Sequence, residues 1–497
     1  MKSQNILGIS AGFHDAAVTV IDGNGEIAFA GHSERYSKQK NDAKIHSDLL
    51  DECCNYNFDT VAFYERPWMH NIQQFVSGQN LYGPWTAKSA IQQHLGNWYQ
   101  TPARREVAFP HHLSHAAAGF QTSTFDSAAV VVIDAIGELD TISIYRAWFD
   151  KHGRAHYKKL WGQHYPHSIG LFYSAVTAHV GLRPMDEEYI TMGMAAYGNN
   201  HAVDVMEYNL INDYTRVKLK QNLHLGIQDS FLTGFDNDTV AASAQTIVER
   251  LIASVMHRAR RLTGETNLVY MGGVALNCLA NRLLGEHFKN IWIMPNPGDA
   301  GSSLGAAALA YAKRLNWKDA YLGHVIPGKY PVDAALEILS TDRIVGVASG
   351  AAEFGPRALG NRSLLADPRG LEIKDQVNEI KRRQQFRPFA PVILSECVDQ
   401  HFIMPAGWDR SPYMQSVGVC RRPDLYPAIV HHDGTSRVQT VAPNSRSGIR
   451  QLLEAWYQKT GCPMLLNTSL NIRGEPMVND RVDADRFENL YNVKVVS

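Results

Sequence analysis

Cysteine is scarce and scattered: Cys53, Cys54, Cys278, Cys397, Cys420 and Cys462 lie across 497 residues with no C-x-x-C pair. That spacing gives no thiolate zinc site and no secreted disulfide framework, so the thiols read as reduced and structural. No apolar run is long enough to span a bilayer, and Met-Lys-Ser-Gln-Asn leads straight into the strand-like Ile6–Ser10 without a signal-peptide hydrophobic region. A soluble, cytoplasmic protein is therefore expected. The formal net charge of −1 gives no global attraction to nucleic acid or membrane and leaves only local basic grooves to consider. Low-complexity tracts are missing, and the longest like-charge group is Lys381-Arg382-Arg383. With 45% hydrophobic and 20% charged residues, the chain has the composition of an ordinary globular protein long enough for two or more domains.

What is present is a repeated α/β grammar. Ile6–Ser10, Ala16–Ile21 and Glu26–Ala30 read as strands separated by the loop Gly12-Phe-His14-Asp15 and the turn Asp22–Gly25. The pattern returns as strands Ala128–Asp134, Thr141–Ala147 and one from Arg154 onward, with a polar loop Ala135–Asp140 and a turn Asp150–Gly153. Two such copies suggest a duplicated core, an arrangement that resembles the actin/sugar-kinase/chaperone-ATPase (ASKHA) superfold, in which two strand-connecting loops face a nucleotide. Hairpins with Asx-Gly turns are common enough to produce the same repeat by coincidence.

Further along, the spacing predicts an amphipathic helix over Val240–Leu262, a strand at Leu268–Met271, and a helix opened by Gly272-Gly273-Val-Ala-Leu-Asn277 and running through Leu284. Glycines between a strand and a helix N-terminus suit either an anion cradle built from Gly272, Gly273 and Asn277 or close helix–sheet packing. A small-residue helix follows Asp299-Ala-Gly301. Gly, Pro and Tyr then accumulate from Tyr321 to Pro331, which places a domain boundary there: residues 1–325 and 326–497. The second domain opens with a strand at Ile344–Ala348.

His111 and His115 lie one helical turn apart if the Ala-rich run after Pro110 is helical, so that both imidazoles face one side and can grip a metal ion. The same pair could simply be solvated. Asp134 at a strand end and Asp299 in a Pro-Asn-Pro-Gly-Asp loop are the acidic candidates to join it. The densest polar motif is Gly350-Ala-Ala-Glu353-Phe-Gly-Pro-Arg357-Ala-Leu-Gly-Asn-Arg362-Ser363. Lys381-Arg-Arg-Gln-Gln-Phe386-Arg387-Pro, Thr435-Ser-Arg437-Val-Gln439 and Asn467-Thr-Ser469-Leu-Asn471 follow it. Arginine forks beside Gly, Pro and aromatic residues suit a fixed polyanion pocket rather than solvated surface charge.

These motifs, with Gly-Phe-His14-Asp15 and Glu34-Arg35-Tyr-Ser-Lys38-Gln-Lys40-Asn-Asp42 before them and Met192-Gly-Met-Ala-Ala-Tyr-Gly198 between, run in fixed order from residue 7 to about 490. The ordered set resembles the O-carbamoyltransferase family of the nodulation, cephamycin and tobramycin enzymes. The resemblance implies an ATP-dependent enzyme with an ASKHA-type transfer domain and a C-terminal YrdC-like domain. The latter would make carbamoyl-adenylate from carbamoyl phosphate and ATP, with Mg accompanying the ATP. The former would pass the carbamoyl group to an acceptor hydroxyl. His111, His115, Asp134 and Asp299 would hold a divalent metal; iron is the implied ion, and zinc or manganese suit the same donors. His14 would be the general base, with a loop-capping role as the alternative. Lys40 and Arg35 would hold the carbamoyl or phosphate end, or else be exposed helix charges. Arg357, Arg362, Lys381, Arg387, Arg437, Asn467 and Ser469 would line the phosphate pocket.

Two departures stand out: Ile190 replaces a lysine usual before Met-Gly, and Ala351-Ala352 replace a basic residue before Phe-Gly-Pro-Arg. The acceptor is left open. A short, phage-type member, working in host cytoplasm, would modify a 5-hydroxymethylcytosine-type base in DNA, for which Arg258, Arg260 and Arg261 with Lys381–Arg383 offer a basic track. A sugar or other small hydroxylated molecule is the alternative. A non-catalytic nucleotide-binding scaffold and a sugar-kinase-like phosphotransferase are the rival classes, and a homodimer is expected by analogy.

Overall fold

Both faces of the strand Asn5–Ser10 (β1) are covered, which is why its sequence is an almost continuous apolar run rather than an alternating one. It pairs antiparallel with Ala17–Ile21 (β2) and parallel with Phe58–Phe63 (β4), which pairs in turn with Arg105–Ala108 (β5). With Ile27–His32 (β3) on the far side of β2, the sheet order is β3-β2-β1-β4-β5. The structure, a computed structural model, describes residues 4–76, 83–227, 230–385, 387 and 389–497. Phe386 of the Phe-Arg-Pro motif lies outside the described residues.

The helix after Pro110, His111–Thr122 (α1), leads to Ser127–Gly137 (β6), the centre of a second sheet. β6 pairs antiparallel with Asp140–Phe149 (β7), itself antiparallel to Ala155–His164 (β8). On the other side β6 runs parallel to Asn267–Met271 (β9), and β9 to Asn290–Trp292 (β10). The order β8-β7-β6-β9-β10 repeats that of the first sheet strand for strand and sense for sense, so the repeated grammar of the sequence is a duplicated α/β half. The long helix Asn237–Thr263 (α2) is capped by the Asp236 side chain on Thr239 N–H and stopped by Gly264 in the left-handed region.

The small-residue helix Ser302–Tyr311 (α3) has a packing cause. A Cβ on Gly305 would lie 1.8 Å from the Ser114 carbonyl, and one on Gly8 would lie 2.0 Å from the Ser303 carbonyl. Backbones therefore touch backbones where α3 meets α1 and β1. The helix expected from Gly273 through Leu284 is instead a succession of short turns, Gly273–Leu276, Cys278–Asn281 and Leu284–Glu286. Asn277 resets the chain by capping Ala280 N–H with its own side chain.

Contacts divide the chain into one unit of residues 1–28 and 43–317 and another of residues 29–42 and 318–497. The expected boundary at 325/326 falls inside a strand of the second unit, Tyr321–Ile326, and the segment 29–42, expected in the first domain, clusters with the second. That unit is also α/β. Ile344–Ala348 (β11), Arg362–Ala366 (β12), Ala390–Leu394 (β13), Gln439–Val441 (β14), Met464–Ser469 (β15) and Val495–Val496 (β16) form a sheet in the order β14-β13-β15-β12-β11-β16. Its core joins Val345, Leu364, Val392 and Leu465 of the sheet to Leu452, Leu453 and Trp456 of the helix Ile449–Thr460. No helix among the described residues is long and apolar enough to cross a membrane.

Candidate metal centre and basic pocket

In the first unit, β5 delivers the chain to Pro110, whose ring fixes the entry to α1, and the first turn of α1 places His111 and His115 on one face. Asp134 sits near the end of β6, and Asp299 begins the turn that leads into α3. One ligand atom from each of the four lies within 4.8 Å of all the others. His115 Nε2 is 3.1 Å from Asp134 Oδ2 and 3.2 Å from Asp299 Oδ1, and His111 Nε2 is 3.6 Å and 3.4 Å from the same two oxygens.

The two Nε2 atoms also face each other at 3.1 Å. The Nδ1–H of His115 donates to the Pro297 carbonyl at 3.0 Å, so its Nε2 turns a lone pair inward. Asp134 Oδ2 is buried without a hydrogen-bond partner, while its Oδ1 accepts from Ala135 N–H at 2.8 Å and Gly273 N–H at 3.3 Å. Two inward-facing imidazole nitrogens and two buried carboxylates around one point fit a divalent cation of the borderline class. Charge agrees with this. Burial opposes ionisation of Asp134 and Asp299, yet the histidines hold both carboxyls below the usual range. Burial likewise opposes a charged His111, but Asp299 and Asp134 raise its pKa well above the usual value.

The paired glycines serve this cluster. Gly272 has φ +91°, and a Cβ there would lie 2.2 Å from the Ile133 carbonyl; Gly273 gives its N–H to Asp134. The Gly272 N–H instead donates to the Pro297 carbonyl at 2.9 Å, the same carbonyl that anchors His115. Asn277 is committed to its cap and to Gln245, with which it exchanges two hydrogen bonds, so its expected place among nucleotide ligands is corrected to a structural one. Gly137 lets β6 approach the helix, since a Cβ would meet His111 Cδ2 at 2.4 Å. His112 faces away and pairs through Nδ1 with Ser143 Oγ at 2.9 Å.

His14 reaches the rim of the cluster, with Nδ1 3.0 Å from Asp15 Oδ2 and Nε2 3.5 Å from Asp299 Oδ2. Burial works against its charged form, but Asp299 and Asp15 outweigh burial and raise its pKa to about 9. Glu65, which the sequence reading did not single out, lies 3.8 Å from His111 Nδ1. Its signal was its position just past β4, a parallel strand end, the same rule that picked out Asp134.

Basic residues gather in the second unit. Lys381 is buried, and its Nζ lies in hydrogen-bond reach of the Ser469 carbonyl and hydroxyl and of Asn471 Oδ1. Burial lowers its pKa far below the usual lysine value, and the nearby charges that weigh most, Arg383, Arg387 and Lys40, push the same way. Ser469 and Lys40 therefore lie near Lys381. Arg35 is buried in the same unit: Nη2 donates to the Gly355 carbonyl at 3.1 Å, and Nε and Nη1 lack hydrogen-bond partners. Lys40 and Arg35, expected to hold the carbamoyl or phosphate end and to fall within the domain of residues 1–325, lie with the second unit, because residues 29–42 do. Arg357, Arg387 and Arg437 are half-buried there.

Arg362 is corrected. It is wholly buried, and its guanidinium donates to the carbonyls of Asn479, Ser349, Gly350, Asn361 and His324, which leaves no fork for a phosphate. Asn467 is also turned inward, donating to the Ala358 carbonyl and Gln439 Oε1. Ile190 and Ala352 are buried, and the Ala351 carbonyl accepts from Asn361 Nδ2.

Protonation of Lys381 predicts a pH effect. An anion entering beside it favours the charged ammonium, so binding of pyrophosphate or ATP takes up protons and tightens as pH falls through the depressed lysine pKa. Titration calorimetry in buffers of differing ionisation enthalpy measures this uptake. Binding without it across that range would remove Lys381 from the pocket. Folding follows the opposite sense, since the unfolded lysine holds its proton more tightly and this group's contribution to stability rises with pH.

The family model for the N-terminus of carbamoyltransferases matches residues 57–308, and that for the carbamoyltransferase C-terminus matches residues 336–496. An uncharacterized protein of Synechocystis is 32% identical, covering 97% of this chain and 94% of its own. The nodulation protein NolNO of Sinorhizobium fredii is 30% identical, covering 95% of this chain and 76% of its own. Among solved structures, full-length HypF in the phosphate- and nucleotide-bound form matches 62% of this chain and 55% of its own, with a TM-score of 0.35 and 14% identity. With both halves matched in order and around a site assembled from both sheets of its first unit, the chain belongs to the carbamoyltransferase family and is an enzyme.

Proposed function

We propose that this carbamoyltransferase is ATP-dependent and works in two steps. In the second unit, which we take as YrdC-like, carbamoyl phosphate loses phosphate to water, and the resulting carbamate oxygen attacks the ATP α-phosphorus. Carbamoyl-adenylate forms and pyrophosphate leaves. In the first unit an acceptor hydroxyl attacks the carbamoyl carbon, the carbon–oxygen bond to AMP breaks, and an O-carbamoyl product and AMP result. The observation that carries this reading is the convergence of His111, His115, Asp134 and Asp299 within 4.8 Å.

A divalent cation held by these four residues, iron, zinc or manganese, supplies positive charge against which adenylate phosphate oxygens can be oriented and developing charge offset. The chain's own groups do the rest. Asp15 fixes the Nδ1 side of His14, and a cation that offsets the Asp299 charge would lower the raised His14 pKa and leave Nε2 to take the hydroxyl proton. Lys381, Lys40, Arg383 and Arg387 attract the anionic substrates of the first step.

A small hydroxylated acceptor suits the surface better than duplex DNA. Arg258 stacks over Trp161 at 4.7 Å and bonds the Thr215 carbonyl, Arg260 caps its own helix end, and Arg382 lies over the Tyr491 ring at 5.2 Å. The expected basic track is largely committed to the fold. Incubation with ATP and carbamoyl phosphate should yield pyrophosphate and a carbamoyl-adenylate mass; ADP alone would reject the reading. Mass spectrometry then seeks a carbamoyl gain on a panel of sugars and on DNA containing 5-hydroxymethylcytosine. Gain on the DNA alone would assign the modified base as acceptor.

A further inference from the structure

The two histidines of the cluster differ on their outer side. His115 Nδ1 is anchored on the Pro297 carbonyl at 3.0 Å. His111 Nδ1 is buried with no hydrogen-bond partner among the described residues, and the group it faces is the carboxylate of Glu65, 3.8 Å away. That gap exceeds a hydrogen bond by a small side-chain rotation.

The backbone around Glu65 is held on both sides. Tyr64 N–H donates to the Ile9 carbonyl at 3.0 Å, and Ser114 Oγ of α1 donates to the Tyr64 carbonyl at 2.8 Å. Next in sequence, Arg66 N–H donates to Glu138 Oε1 at 2.7 Å, and the Arg66 guanidinium forks onto the same carboxylate. Glu138 lies just past β6, the strand that carries Asp134, so the ends of β4 and β6 are clamped together with Glu65 between them. Its side chain is mostly buried.

A metal-ligating imidazole must carry its remaining proton on the outer nitrogen, and an acceptor there fixes both the tautomer and the ring. We propose that Glu65 is the positioning residue for His111: its carboxylate accepts the Nδ1–H and turns Nε2 onto the cation. Glu65 itself stays outside the ligand set. The inference rests on reading the four-residue cluster as a metal centre and is independent of the transfer chemistry.

Binding of Co2+ to the metal-stripped full-length protein, followed by visible absorption and competition with a chromogenic chelator, provides the test. Glu65→Ala should weaken Co2+ binding roughly tenfold to a hundredfold and alter the visible band. Thermal unfolding of the stripped protein should stay unchanged. Glu65→Gln, whose amide oxygen can still accept the proton, should recover at least half of that loss on a logarithmic scale. The proposal is overturned if Glu65→Ala binds within threefold of the unaltered protein, or if Glu65→Gln binds no more tightly than Glu65→Ala. Neither readout requires turnover. If no variant, nor the unaltered protein, binds Co2+, the metal reading itself fails and the positioning role with it.

Discussion

Changing His111 and His115 together to Ala should abolish carbamoyl transfer while leaving the proposed carbamoyl-adenylate formation measurable. The two imidazoles supply half of the donors in the cluster and hold both carboxyls ionised. Without them only the two carboxylates of Asp134 and Asp299 remain as donors, and as facing buried like charges one of them takes up a proton in place of a cation. Charge stabilisation of several kcal/mol would be lost, equivalent to about a thousandfold in the transfer rate. On the proposed two-step reading the adenylate step depends on residues of the second unit, and pyrophosphate release would report it separately. Loss of both activities in a variant whose thermal unfolding is unchanged would mean that the division of labour is wrong.

Arg362→Met should lower the unfolding temperature of the second unit sharply. The change strips hydrogen bonds from five buried carbonyls at once, those of Asn479, Ser349, Gly350, Asn361 and His324. At about 1 kcal/mol net for each bond lost, with desolvated carbonyls left behind, the expected cost is about 4 kcal/mol or more. Arg362→Lys keeps the charge but cannot reach the same set, so it should fall between Met and the unaltered protein. A phosphate ligand would behave in the reverse way, with ATP binding lost and unfolding unaltered. Differential scanning calorimetry alongside ATP titration separates the two outcomes.

The contrast between His111 and Arg362 shows where a sequence carries its structure openly. Strands β1 and β6 announce themselves because burial on both faces makes each a short apolar run, and the Asx-Gly turns mark the hairpins that repeat. His111 and His115 were legible because helical spacing alone places them on one face. Asp134 and Asp299 became legible because strand ends and helix starts are where a duplicated α/β fold presents polar groups. Arg362 was not, since a guanidinium aimed at phosphate and one satisfied by loop carbonyls follow the same glycine-rich letters, and only the path of the chain around it decides. Gly272 and Gly273 posed the same ambiguity, resolved by the closeness of the Ile133 carbonyl and the Asp134 carboxylate. Glu65 was hidden for another reason: its partner lies 46 positions later, brought near by the parallel pairing of β4 with β1 and β5.

The assignment of residues 29–42 to the second unit means that this unit is discontinuous in the gene as well as in the chain. A ribosome delivers Arg35 and Lys40 early, but their neighbours Gly355 and Lys381 emerge only after the whole first unit has been made. The second unit therefore completes its fold last, around a strip of polypeptide that has waited for it. A fragment begun at Lys318 would leave that strip behind, and supplying residues 29–42 as a separate peptide is the way to restore it.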